Sequence, residues 1–61
     1  MTDNLNMSIR KFLKEVGVTS QNIIEKSWQN KELPAGTKVN AKIVLTINEL
    51  DITHVVKGQI G

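Results

Sequence analysis

The sequence predicts an α+β fold in which two N-terminal helices cover one face of a C-terminal antiparallel hairpin, in the order ααββ. Three observations carry this. Apolar residues recur at helical spacing before Pro34, and they alternate at strand spacing after it. Gly17 and Pro34-Ala35-Gly36 supply the breaks. A four-residue connection, Asn48-Glu49-Leu50-Asp51, divides the alternating half in two.

The first helix is expected over about 4–16. Leu5, Ile9, Phe12, Leu13 and Val16 form one apolar stripe, and Asp3 or Asn4 can cap its start. Gly17 then stands where a helix ends in the left-handed conformation, with Val18 folding back on the last turn. Thr19 or Ser20 caps a second helix over about 20–31. Val18 and Ile23 would be its hydrophobic staple, and Ile23, Ile24, Ser27, Trp28 and Lys31 its buried face. Leu33-Pro34-Ala35-Gly36 reads as the turn into the sheet.

The strands are expected over about 38–47 and 52–60. Val39, Ala41, Ile43, Leu45 and Ile47 share a face with Ile52, His54, Val56, Gly58 and Ile60 only if the loop has an even number of residues. Centring the hairpin on Glu49-Leu50 pairs Ile47 with Ile52, Leu45 with His54 and Val39 with Ile60. On the reverse side Thr46 meets Thr53 and Val44 meets Val55, which are good cross-strand pairs. Lys42 faces Lys57, an unfavourable like-charge pair.

Sixty-one residues form a single small domain near the lower size limit for a stable core. With no cysteine, neither a disulfide framework nor a thiolate metal site can add stability, and a reducing cytoplasm is the expected compartment. The polar start MTDNLNMS lacks the apolar run of a signal peptide, and no segment is long and apolar enough for a membrane span. A net charge of +2 is far below the dense positive field of a dedicated nucleic-acid binder. Phe12 and Trp28 are the only aromatic residues, too few for a base-stacking platform.

A helix-turn-helix reading of Phe12–Trp28 has a real basis. Gly17 between Val16 and Val18, with Ile23 six residues on, matches that motif's apolar skeleton. Arg10, Lys11 and Lys14 would meet phosphates, while Gln21, Asn22 and Lys26 would be offered to the groove. Three features oppose it. Leu13 occupies a position where close helix packing prefers a small residue, Lys26 falls where a buried apolar residue is expected, and no further helix completes the support. Nucleic-acid binding is therefore the runner-up.

His54 lies between Ile52 and Val56 on the apolar face, where it is expected to rim the core and donate one ring N–H to a carbonyl or carboxylate. A metal site would need further His or Cys ligands, and none is present. Gly36-Thr37-Lys38 lacks the strand-loop-helix context of a phosphate loop. No catalytic residue, cofactor or metal is expected. The leading expectation is a non-catalytic interaction or structural protein, a homodimer or the partner of another protein. Its candidate contacts are Trp28, His54, and Val44 and Val55 on the outer face.

The block N-M-S-I-R-K-F-L-K-E-V-G-V-T-S-Q, Asn6 to Gln21, and the ending I-T-H-V-V-K-G-Q-I resemble a small bacterial family of uncharacterised proteins, a domain of unknown function of about this length. The resemblance implies a complete small protein and assigns no residue a role.

Overall fold

A computed structural model describes residues 3–61. Its elements are one helix, α1 (Asp3–Lys31), then strand β1 (Val39–Ile47), a single 3₁₀ turn (Asn48–Leu50) and strand β2 (Ile52–Ile60). The class is α+β with an antiparallel hairpin, but the two expected helices are one.

The expected corner at Gly17 is absent. The chain passes through Gly17 without a positive φ, and the Thr19 hydroxyl donates to the Glu15 carbonyl oxygen at 2.7 Å instead of capping a new helix. Val18, expected to fold back as a staple, lies on the helix with the same α-helical neighbours before and after it. The physical reason lies in the phase of the apolar residues. Leu5, Ile9, Phe12, Leu13 and Val16 recur eleven places on as Val16, Ser20, Ile23, Ile24 and Ser27. Eleven residues make three turns of an α-helix almost without drift, so the two stripes are one stripe. Gly17 costs a helix interior about 1 kcal/mol relative to alanine, which the hydrogen bonds of an unbroken helix of 29 residues absorb.

The helix stops at Lys31. Glu32 takes a left-handed backbone, φ 50°, and its N–H donates to the Gln29 carbonyl at 3.4 Å, placing a glutamate where helices usually end on glycine. The connecting turn is Pro34–Thr37, one residue later than expected. Gly36 supplies the positive φ of 84°, and the Pro34 carbonyl accepts from both the Thr37 N–H and its hydroxyl.

The hairpin has the register that alternation requires. Val39 pairs with Ile60, Ala41 with Gly58, Ile43 with Val56, Leu45 with His54 and Ile47 with Ile52. Asp51, at φ 52°, closes the turn through its N–H to the Asn48 carbonyl, a conformation that aspartate tolerates better than most residues.

The Cα trace measures 46 × 20 × 15 Å. A helix of 29 residues is itself about 43 Å long, and strands of nine residues about 30 Å. The hairpin is too long to lie across that cross-section, so it runs alongside the helix. One helix beside two strands makes two thin layers, and among the described residues none is buried. The core expected from two helices does not form within a single chain.

Candidate interaction surface

The feature that dominates this chain is exposed apolar surface. On α1, Ile9, Phe12, Leu13, Ile23 and Ile24 are all at least 38% exposed, although 3.6-residue periodicity puts them on one side of the helix. That side carries no charged residue between Leu5 and Ile24. Arg10, Lys11, Lys14, Glu15, Glu25 and Lys26 fall around the opposite side.

The hairpin adds a second apolar face. Val39, Ala41, Leu45, Ile47 and Ile60 are half-buried on it, while Ile43, Ile52 and Val56 remain exposed. Every described residue on the reverse face is exposed. The alternation survives as a difference in exposure along β1 but not along β2, where only Ile60 is half-buried, and neither face is closed.

The residues expected at sites fall in different places. Trp28 is half-buried near the end of α1 and is the most sheltered of the candidate contacts. Val44 and Val55 face each other on the outer side of the hairpin, half-open to solvent. His54 stands opposite Leu45 on the apolar face, but it is exposed and makes no side-chain hydrogen bond. Its expected role as a hydrogen-bonded core rim is therefore absent, because no core stands there for it to rim.

The helix-turn-helix geometry is also absent, since it needs the corner that α1 lacks. Arg10, Lys11, Lys14, Gln21, Asn22 and Lys26 are exposed along one continuous helix. Gln21 donates its amide to the Glu25 carboxylate at 2.9 Å, an i,i+4 pair typical of a solvated helix face.

On the outer face of the hairpin, Lys42 stands opposite Lys57, and next along the ladder Gln59 reaches the Asn40 side chain at 3.4 Å. These four residues, with Ala41 and Gly58 between them, line a shallow open groove of about 460 Å³. Two ammonium groups without a neighbouring carboxylate can attract an anion, but the groove encloses nothing and positions no nucleophile or base. Among the described residues, no group of His, Asp or Glu side chains could hold a metal ion. Nor is any described helix long and apolar enough to cross a membrane.

Exposure on this scale was not legible in the sequence, because the expected second helix would have covered the stripe. The eleven-residue recurrence was the signal that could have found it.

No curated protein and no solved structure matches the chain. A family model does, over residues 1–61, and the chain belongs to that family, DUF6494, a family of unknown function.

Proposed function

We propose that this chain is a non-catalytic interaction or structural module of the cytoplasm that acts as a homodimer. One observation carries the reading: among the described residues of a chain this apolar, none is buried. Soluble monomers seldom leave so large a contiguous apolar surface in water, because each square ångström withheld from burial forgoes roughly 25 cal/mol. The open edges of a two-stranded sheet add unpaired backbone groups that a second chain can satisfy.

Equilibrium sedimentation from the high to the low micromolar range tests it. A dimer mass that falls toward 6.8 kDa on dilution is expected. A monomer mass at every concentration would count decisively against the homodimer.

A second reading, nucleic-acid binding, is favoured by the unneutralised Lys42–Lys57 pair on a face that also carries Asn40 and Gln59. Its mark would be affinity for duplex DNA or single-stranded RNA that weakens steeply with salt as counterions are released. Absence of binding at low salt would exclude it.

A further inference from the structure

We infer that the outer face of the hairpin binds a phosphomonoester, with Lys42 and Lys57 supplying the charge and the Asn40 amide a fixed donor. The inference goes beyond the homodimer reading and does not depend on it.

The strand register builds the site. Alternation puts Asn40 and Lys42 of β1 on the same face as Lys57 and Gln59 of β2, with Lys42 opposite Lys57 and Asn40 opposite Gln59. The apolar residues of the other face fix that register, so the two lysines meet in spite of their repulsion. Direct partners have Cβ atoms about 5 Å apart, and the next pair on the same face follows about 7 Å along the strands. All four side chains are exposed, and with Ala41 and Gly58 they border one groove of about 460 Å³.

Charge says what the groove attracts. Neither strand contains an Asp or Glu, and neither lysine has an ion-pair partner among the described residues. The hairpin's own acids, Glu49 and Asp51, sit in the turn at the far end of the strands. They are about 20 Å away, well beyond a Debye length of about 8 Å. Two ammonium groups side by side match two negative charges. A phosphomonoester carries nearly two at neutral pH, whereas a nucleic-acid backbone carries one per phosphate. The site therefore differs in its ligand from the nucleic-acid reading, although both use the lysine pair.

Hydrogen bonding says what holds the ligand. Gln59 donates its amide to the Asn40 side-chain oxygen at 3.4 Å, and the two N–H groups of the Asn40 amide have no acceptor among the described residues. A phosphate oxygen can accept from that amide, while the lysines add charge-assisted bonds to the others. No aromatic residue lies on either strand, so a base or ring carried by the phosphate finds nothing to stack on. The groove reads the phosphate alone.

Titration of the isotope-labelled chain with methyl phosphate at constant ionic strength, followed by NMR, tests the site. Saturable amide shifts confined to residues 40–42 and 57–59 are expected. Dimethyl phosphate, with one charge fewer, should bind about fivefold more weakly. Methyl phosphate should bind a Lys57→Gln chain about fivefold more weakly for the same reason, the loss of one exposed ion pair. Asn40→Asp keeps an acceptor for Gln59 but puts a carboxylate where the free donors were. It should raise the melting temperature, through the lysines, and abolish binding. A free ester and a phosphorylated side chain present the same dianion, and a phosphoserine tripeptide titrated beside methyl phosphate shows which of them the groove takes more tightly.

A chain with both Lys11→Gln and Lys14→Gln loses two charges from α1 instead, and should bind methyl phosphate as the wild type does. Shifts that spread along α1, that persist when Lys42 and Lys57 are both changed to Gln, or that dimethyl phosphate matches in affinity would overturn the site. None of these outcomes alters the sedimentation result, so the site and the homodimer stand or fall separately.

Discussion

The Thr19 hydroxyl and the Glu15 carbonyl oxygen, 2.7 Å apart, lie on opposite sides of Gly17 within one helix. A hydroxyl bonded back to the carbonyl four residues earlier belongs to a helix interior, not to a cap. The V-G-V-T stretch thus carries the residues of a corner without making one. Its conformation governs the length of the apolar stripe, and so how much apolar surface one helix carries.

Gly17→Ala should therefore stabilise the protein, by about 1 kcal/mol, since alanine is the better helix former and constrains the unfolded chain. A Cβ added at Gly17 meets nothing within 4 Å. Thermal melts followed by circular dichroism at one fixed chain concentration would read the shift. A lower melting temperature would show a left-handed Gly17 and restore the two-helix arrangement.

Glu32 offers a similar gain by the opposite route. Its φ of 50° crowds Cβ against the following carbonyl, a cost glycine avoids. Glu32→Gly should raise stability by about 1 kcal/mol in urea titration, with the slope unchanged. A loss of stability would mean that the helix does not end in this conformation.

The Lys42–Lys57 pair predicts a charge effect of known sign. The two are direct cross-strand partners, and like charges so placed repel. Lys57→Glu should stabilise the hairpin by about 0.5 kcal/mol, and the gain should shrink from low to molar salt as screening increases. A gain that ignores salt would point to strand propensity instead of charge.

The hairpin was legible in full. Side chains on a strand alternate with a period of two, so the apolar sets Val39–Ile47 and Ile52–Ile60 can share a face in few registers. A four-residue connection between Ile47 and Ile52 selects the one observed. Local geometry and pattern agree there, and nothing distant can alter the outcome.

The helix was legible in its composition but not in its continuity. Gly17, Thr19 and Ser20 each bias the chain toward a break by about a kilocalorie, and a sequence reading weighs such local preferences first. Against them stand the hydrogen bonds of an uninterrupted helix and a stripe that stays in phase from Leu5 to Ile24. The sequence by itself determined which residues are apolar, which strands pair and in what register. Only the tertiary structure decided that the helical half is one unbroken helix, longer than the hairpin beside it. The closing of an apolar surface depends on how far each element reaches, and no local preference records that distance.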